Sequence, residues 1–348
     1  MSCKSNPPTY SNLITYEDNT YINLWRLVKK SPFDYFIFIG GRGIGKTFSI
    51  LRGLLIEDKT KFIYMRNTDE DIRQCMTKDD NPFKDINDNF GTDFIIGGMQ
   101  KSPVIINNET DETVGLAKAL SVSGKVRGSS FNDIEYIIYD EFISYGLVKS
   151  AFEKKKSRFL FNFIETVNRN RENKGGKPVK VIMIANAQTL DDDIIRALRI
   201  GDVFYDMITN DRHYTEIPER NLFIGWLESS KKFVDMKSKQ SLYQLTKGTQ
   251  FYEMAINNMF TMDYFGDIAK IDYRELQPLV GYENVYFYTH KSKNLLFASY
   301  RKCNAPYYNE ITFKAFRKDY GMILGNAIER GNILYYSYNC KLDALNIF

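Results

Sequence analysis

The sequence predicts an α/β protein with a mainly parallel β-sheet covered by helices, then a helical linker and a small α+β domain. Short apolar runs at 35–39, 62–65, 134–139 and 179–185 alternate with helical stretches, as in a parallel sheet. Residues 202–258 have a mixed, mostly helical pattern with charged patches. The tail contains VYFYTHKSKNLLFASYR, two apolar-polar runs around a Lys-Ser-Lys-Asn turn, which indicates a hairpin.

The length of 348 residues exceeds what a single hydrophobic core usually supports. We therefore predict a large domain at 1–200, a linker or lid at 201–261 and a small domain at 262–348. Hydrophobic residues make up 43% and charged residues 26% of the chain, as in a folded soluble protein.

Charge and cysteine content exclude several functional classes. A net charge of +4 means that any nucleic-acid binding must come from local basic clusters. The four cysteines contain no CxxC pair and only two histidines accompany them, which excludes a zinc ribbon and fits reduced thiols in a cytoplasm. The start of the chain is polar and no apolar run is long enough to span a bilayer. We therefore expect no secretory signal and no membrane span.

Each of the four predicted strands is short and nearly all apolar, as expected of strands buried on both faces. Between the second and third, the segments DFIIGG, PVIINNET and ETVGLAKALSV are separated by Gly, Asn and Asp turns. We expect an antiparallel insertion there, and therefore a mixed sheet. An amphipathic helix is predicted at about 157–171.

The strongest motif follows the first strand and has the form GxxxxGK[ST], which binds nucleotide phosphates between a strand and a helix. Its glycines let backbone N–H groups converge on phosphate, while the lysine reaches the β- and γ-phosphates and the threonine ligates Mg²⁺. The alternative, a glycine-rich turn that binds nothing, is disfavoured because the strand, the lysine and the threonine are all present. The motif comprises Gly40, Gly41, Arg42, Gly43, Ile44, Gly45, Lys46 and Thr47.

A second motif ends the third strand in two carboxylates, Asp140 and Glu141. Asp140 is placed to hold Mg²⁺ through its water shell, and Glu141 to orient and deprotonate the attacking water. This pair favours ATP hydrolysis over GTPase or kinase chemistry. A solvated acidic turn is the alternative.

Asn186 closes the fourth strand. Two roles are predicted for it: contact with the γ-phosphate or with the water, and formation of a turn.

Together these segments resemble the DNA encapsidation (genome-packaging) ATPases of small, short-tailed phages, which are relatives of the large terminase motors. The resemblance covers most of residues 33–190 in the same order and is thin over the last third. It is carried by FIFIGGRGIGKTFSI, FIYMRN, LSV followed by a basic loop and IIYDEFI, ETVNRNRE, IMIANA and, more weakly, KGTQFYEMAINNMF.

The resemblance implies a P-loop NTPase fold of the additional-strand, RecA/terminase-like type and a motor that moves viral double-stranded DNA into a preformed capsid in the host cytoplasm. It further implies a homomeric ring of five subunits docked on the capsid portal (connector), with ATP and Mg²⁺ at subunit interfaces; a packaging RNA is a further candidate partner. Arg169 and Arg127 match positions that act on the neighbouring subunit's ATP. For Arg169 and Arg171, the basic, solvated end of a helix is the alternative.

The segment after the carboxylate pair, 144–156, contains the DNA-contact candidates Lys149, Lys154, Lys155 and Lys156. We expect it to line the channel of the ring and contact DNA phosphates; a solvated loop is equally compatible with the sequence.

The resemblance also implies an RNase H-like C-terminal domain. The candidate first strand at 285–289 lacks a central Asp, so we expect a vestigial domain that does not cut DNA.

Two other functions remain compatible with the motifs. One is a P-loop NTPase or small-molecule kinase without DNA translocation. The other is a structural viral protein that nucleotide merely stabilises.

Overall fold

The computed structural model describes residues 15–17, 20–98, 103–125, 131, 133–144, 150–169, 171–256 and 263–348. Its strands are β1 (Thr15–Glu17), β2 (Tyr21–Asn23), β3 (Tyr35–Gly40), β4 (Phe62–Arg66), β5 (Phe94–Gly97), β6 (Val104–Asn107), β7 (Glu112–Ala119), β8 (Tyr136–Asp140), β9 (Lys180–Asn186), β10 (Tyr214–Ile217), β11 (Leu222–Leu227), β12 (Leu276–Tyr282), β13 (Val285–His290), β14 (Leu296–Ser299), β15 (Tyr307–Tyr308) and β16 (Ile333–Tyr335).

The helices are α1 (Leu24–Lys30), α2 (Lys46–Arg52), α3 (Asp69–Cys75), α4 (Lys84–Phe90), α5 (Lys156–Asn168), α6 (Asp193–Ala197), α7 (Gly201–Thr209), α8 (Lys231–Lys237), α9 (Ser241–Leu245), α10 (Gln250–Ile256), α11 (Phe313–Glu329) and α12 (Tyr338–Leu345). A π-helical turn, Gly53–Glu57, continues α2. Among the described residues, no helix combines the length and the apolar character needed to cross a bilayer.

The chain divides into two compact units. The first contains Met1–Thr189 with Arg212–Thr261, and the second contains Leu190–Asp211 with Met262–Phe348. These limits differ from the predicted domains, because 190–211 belongs to the second unit and 212–261 to the first.

Within the described residues, the first unit contains a nine-stranded sheet in the order β10-β11-β3-β9-β8-β4-β7-β6-β5. The six central strands from β11 to β7 are mutually parallel, whereas β5 and β6 pair antiparallel and β6 pairs antiparallel with β7. The α/β fold and the antiparallel insertion predicted from the sequence are therefore confirmed. The carboxyl ends of β3, β9, β8 and β4 lie side by side.

The predicted linker at 201–261 is not a separate element. All six residues of β11 are buried, and this strand pairs in parallel with β3 next to the phosphate loop. The sequence LFIGWL is a short apolar run, a pattern that does not distinguish a buried strand from a helix. Among the described residues of this segment, α7 belongs to the second unit, whereas α8, α9 and α10 belong to the first unit and fit the helical lid that the pattern predicts. We call these three helices the lid helices.

The second unit contains a five-stranded sheet, β15-β12-β13-β14-β16, within the described residues. The predicted hairpin is present, because β13 and β14 pair antiparallel. The core of this unit packs α11 and α12 against the sheet through residues such as Phe287, Phe316 and Cys340. The first strand of the sheet is β12 and not 285–289 as predicted, but its sequence LQPLVGY also contains no carboxylate.

Candidate functional site

The phosphate loop joins β3 to α2 and is shaped by two glycines with positive φ. Gly43 has φ +81° and Gly45 has φ +95°, conformations that L-residues with a side chain rarely adopt. The loop then enters α2 directly at Lys46. A helix that begins this way presents backbone N–H groups and the positive end of its dipole to an anion.

Lys46 is buried beneath the loop, with 6% of its surface exposed. Its Nζ donates to the carbonyl oxygens of Gly41 (2.6 Å) and Gly40 (3.1 Å) and to Asn186 Oδ1 (3.1 Å). Burial lowers the pKa of Lys46 to about 7, although the nearby carboxylate of Asp140 acts in the opposite direction. Lys46 therefore lies where an anionic phosphate would raise its pKa again and stabilise its charge.

Asp140 lies at the end of β8 and accepts two hydrogen bonds from hydroxyl groups. Thr47 Oγ1 donates to Asp140 Oδ1 at 3.0 Å, and Tyr64 Oη donates to Oδ2 at 3.0 Å. Burial, followed by the charge of Asp140, raises the pKa of Tyr64 well above its usual value, so the phenol remains a donor. A threonine hydroxyl next to a carboxylate is a set of hard oxygen ligands that fits Mg²⁺.

Glu141 follows Asp140 and has a left-handed backbone, with φ +51°. Its side chain is half-exposed, and its Oε2 accepts from Arg66 Nη2 at 2.5 Å. Arg66 ends the neighbouring strand β4, so the pairing of β4 with β8 brings the two residues together. The backbone of Glu141 is held by Asn67, whose Nδ2 donates to its carbonyl at 2.8 Å. Glu141 is thus oriented through both its side chain and its backbone.

Lys46, Asp140 and Glu141 line one cavity of about 830 Å³, within the size range of small-molecule sites. Further lining residues come from the β2–α1 segment and from helices α2 and α4, including Tyr21, Phe48, Arg52 and Phe90. The structure thus brings together the predicted Arg42, Gly43, Gly45, Lys46, Thr47, Asp140, Glu141 and Asn186 in one cavity. Gly40 and Gly41 contact Lys46, whereas the Ile44 side chain packs into the core.

The two arginines at the end of α5 have different environments. Arg169 is exposed and has φ +41° at the helix terminus, and it does not line the cavity of its own chain. Arg171 donates from Nη1 to the carbonyl of Ile134 at 2.5 Å and from Nη2 to the carbonyl of Phe131. Arg171 is therefore bonded within its own chain, while Arg169 faces solvent. Arg127 lies outside the described residues.

The four lysines proposed to contact DNA are not equivalent. Lys154 and Lys155 are exposed, whereas Lys149 lies outside the described residues. Lys156 is 1% exposed and its Nζ donates to the carbonyl of Phe142. The prediction that Lys156 contacts DNA is therefore wrong. Lys156 begins α5 on the face that buries Leu160 and Phe163, so it faces the interior.

Replacing Lys156 with Ala is expected to lower the free energy of unfolding by about 1–3 kcal/mol, because the buried carbonyl of Phe142 loses a donor. Urea denaturation of the purified protein measures this change. The exposed neighbour Lys155→Ala is the control and should change stability by less than about 0.5 kcal/mol. Equal stability of the two variants would contradict the structural role of Lys156.

Tyr64 and Arg66 are among the residues of the site that were not predicted from the sequence. Tyr64 and Arg66 belong to the FIYMRN strand, and a polar residue ending a parallel strand beside the Asp-Glu strand is a signal that could have indicated Arg66. Tyr64 gave no such signal, because a tyrosine in a buried strand is ordinarily a packing residue.

Comparisons with known proteins agree with the geometry. Residues 17–278, about three quarters of the chain, match the family described as Podovirus DNA encapsidation protein (Gp16). The DNA packaging protein of Bacillus phage B103 is 27% identical over 230 residues, which cover 65% of this chain and 64% of that protein. The DNA packaging protein of Bacillus phage phi29 is 26% identical over 244 residues, covering 65% and 61%. The chain thus matches less than two thirds of the length of these curated relatives.

Two solved structures show the same fold. A chain of the bacteriophage Phi-29 viral genome packaging motor assembly superposes with a TM-score of 0.61 at 18% identity, covering 94% of this chain and 98% of that one. A chain of the Phi-28 gp11 DNA packaging motor gives a TM-score of 0.57 at 16% identity, covering 92% and 95%. With the family match over most of the chain and this shared fold, the protein belongs to the family of podovirus DNA encapsidation proteins (Gp16).

Proposed function

We propose that the protein is an ATPase motor that translocates viral double-stranded DNA into a preformed capsid. The observation that supports this most is the convergence of Lys46, Thr47, Asp140 and Glu141 in one cavity. That arrangement provides a phosphate cradle, metal ligands and a water-activating carboxylate together. Family membership then favours DNA packaging as the work that the hydrolysis drives.

In this mechanism the phosphate loop and Lys46 bind the phosphates of ATP, and Thr47 and Asp140 are the residues that would hold Mg²⁺. The bound metal would neutralise charge that develops on the phosphate oxygens. Glu141 accepts a proton from the attacking water. Asn186 keeps a polar contact with Lys46 (3.1 Å) and is close enough to the phosphate loop to orient either the lysine or the water.

The proposed assembly is a homomeric ring, with five subunits by resemblance to the family, that docks on the capsid portal in the host cytoplasm. The position of Arg169 is an argument for the ring. Its side chain is exposed and does not line the cavity of its own subunit, so it is available to reach the cavity of a neighbour. An arginine supplied by a neighbour stabilises transition-state charge and accelerates phosphoryl transfer by on the order of 10³ to 10⁵. We assign this role to Arg169 rather than to Arg171, whose guanidinium bonds to backbone carbonyls of its own chain.

Mixed rings test this role of Arg169. Arg169→Ala and Glu141→Gln subunits should each be inactive alone, and a mixture should regain part of the ATP turnover, because some interfaces combine an intact Glu141 with an intact Arg169. Turnover is measured by phosphate release, and subunit mixing by two affinity tags. Inactive mixtures in which both tags co-purify would show that Arg169 does not act on a neighbour.

Lys154 and Lys155 remain the described candidates for DNA contact. We plot the logarithm of the DNA-binding constant against the logarithm of the salt concentration, a line with a negative slope. The double variant Lys154→Ala/Lys155→Ala is expected to make this slope shallower by up to about two units, since each phosphate contact contributes roughly 0.9. A matched double variant of exposed lysines elsewhere, Lys78→Ala/Lys84→Ala, should leave the slope unchanged. Equal slopes for the two double variants would show that Lys154 and Lys155 face solvent and do not contact DNA.

The second unit is proposed to bind DNA or the portal without cutting DNA. Its first strand offers no carboxylate. Asp343, a carboxylate elsewhere in this unit, pairs with Arg199 and accepts from Tyr300 Oη at 2.7 Å. A carboxylate held in this way is poorly placed to bind a catalytic metal.

Phosphate release with and without double-stranded DNA tests the proposed function. A motor is expected to hydrolyse ATP faster when DNA is present. A kinase would transfer phosphate to a small molecule and show no response to DNA, and a structural protein would bind ATP without turnover. Either of these results would overturn the proposal.

A further inference from the structure

A buried lysine, Lys237 at the end of α8, connects the phosphate loop to the lid helices. Its Nζ donates to the carbonyl of Arg42 in the loop and to the carbonyl of Ala255 in α10, the latter at 3.2 Å. Only 7% of Lys237 is exposed. An ammonium group that is removed from water in this way needs partners that compensate for the lost hydration.

Aromatic rings provide part of that compensation. The Nζ of Lys237 lies 4.9 Å from the ring centroid of Phe233 in α8 and 5.0 Å from that of Tyr243 in α9, both within the range of cation–π interactions. The ammonium therefore contacts all three lid helices, through Phe233, Tyr243 and the carbonyl of Ala255. The buried apolar cluster of these helices is small, with Tyr243, Ala255 and Ile256 as its buried members.

The hydrogen bond from Lys237 to the phosphate loop acts on one side of the Arg42–Gly43 peptide. The carbonyl of Arg42 and the N–H of Gly43 belong to one trans peptide, so they point to opposite sides. A methyl group built on Gly43 would lie 3.7 Å from Lys237 Nζ and 3.7 Å from Phe233 Cζ, and Gly43 lines the cavity. An ammonium group at the carbonyl of this peptide polarises it and strengthens its N–H as a donor on the other side.

Lys237 keeps its charge near neutral pH. Burial, with a smaller effect from Arg42, lowers the pKa of Lys237 to about 8, so the ammonium form still predominates at pH 7. The bonds from its Nζ to the carbonyls of Arg42 and Ala255 are therefore those of an ammonium group.

We propose that Lys237 is a positioning residue that holds the Arg42–Gly43 peptide for phosphate binding and couples nucleotide occupancy to the arrangement of the lid helices. The proposal rests on the proposed function, because it assumes that the cavity binds ATP. A phosphate that bonds to the Gly43 N–H strengthens the carbonyl of the same peptide as an acceptor for Lys237. Lys237 in turn bonds to the lid, so the free energy of one contact depends on the other.

The test uses Lys237→Met, which keeps the length of the side chain and removes the ammonium group. ATP affinity is measured by titration calorimetry with Mg²⁺, and hydrogen exchange of amides 231–256 is measured with and without saturating ATP. We expect the affinity to fall roughly 10-fold or more, and the slowing of lid exchange by ATP to be lost while that in α2 is retained. Lys239→Met, an exposed lysine just beyond α8, is the control and should behave as the unaltered protein does.

A Lys237→Met variant with unaltered ATP affinity and unaltered lid exchange would overturn the proposal. If the variant is too unstable to purify, Lys237→Gln replaces it, because the amide still donates to a carbonyl but carries no charge. Weaker ATP affinity or loss of the slowing of lid exchange by ATP in Lys237→Gln supports the proposal, and unaltered affinity together with unaltered lid exchange overturns it. Failure of the unaltered protein to bind ATP would instead refute the proposed function.

Discussion

Replacing Glu141 with Gln is expected to lower ATP turnover by roughly 10² to 10⁴ while ATP stays bound, because the amide cannot accept the proton of the attacking water. The phosphate loop and the Thr47–Asp140 pair do not involve this side chain, so binding is retained. Phosphate release gives the turnover, and titration calorimetry gives the affinity.

The matched control is Glu135→Gln, an exposed glutamate just before β8. It changes the net charge equally but lies at the opposite end of the strand from the site. Its turnover should equal that of the unaltered protein. If Glu141→Gln hydrolyses ATP as fast as Glu135→Gln, Glu141 is not the base, and the water is activated by another group.

Replacing Lys46 with Ala is expected to remove both ATP binding and turnover to below detection. Two effects combine: the phosphates lose a buried cation, and the carbonyls of Gly40 and Gly41 lose their donor. Such charge-assisted bonds are about twice as strong as neutral ones. The loop geometry therefore changes together with the charge.

Lys46→Arg separates the two effects, because it keeps the charge but does not fit the same buried space. We expect Lys46→Arg to be nearly as inactive as Lys46→Ala, since Lys46 is 6% exposed and has three close partners. Measurable ATP turnover by Lys46→Ala would contradict the assignment of the phosphate loop as the site of hydrolysis.

The sequence predicted the part of the site that is local in the chain. The glycines, Lys46 and Thr47 lie within one strand–loop–helix segment, and Asp140 and Glu141 end one strand, so their chemistry could be inferred from spacing. For Asn186 the sequence left two alternatives, a contact with the γ-phosphate or the water and a turn. In the structure its Oδ1 accepts a hydrogen bond from Lys46. Their roles in hydrolysis remain predictions, which the variants above test.

Contacts between distant segments were not predictable in the same way. Arg66 meets Glu141 only because β4 and β8 are neighbours in the sheet. Lys237 is one of several lysines in a charged helical stretch, and nothing in its spacing distinguishes it from the exposed Lys239. Tertiary packing decides which of these lysines is buried.

Two interpretations of the sequence differ from the structure because of how periodicity was read. Lys156 was grouped with a basic run, although it stands four residues before Leu160 on the buried face of α5; the 3.6-residue period indicated that face. The segment 201–261 was predicted as a linker or lid because its pattern is mixed and mostly helical with charged patches, and the apolar run LFIGWL within it was not separated from the rest. Its burial between β10 and β3 shows that a continuous apolar run of six residues can be an interior strand.

DNA packaging into purified empty capsids tests the central claim most directly. Double-stranded DNA protected from nuclease is measured with the unaltered protein and with Glu141→Gln, each with ATP and Mg²⁺. A motor driven by hydrolysis in this cavity gives protected DNA with the unaltered protein and none with Glu141→Gln. Equal amounts of protected DNA with both proteins would contradict the claim. So would the absence of protected DNA when the unaltered protein is fully active as an ATPase and the capsids are known to be competent.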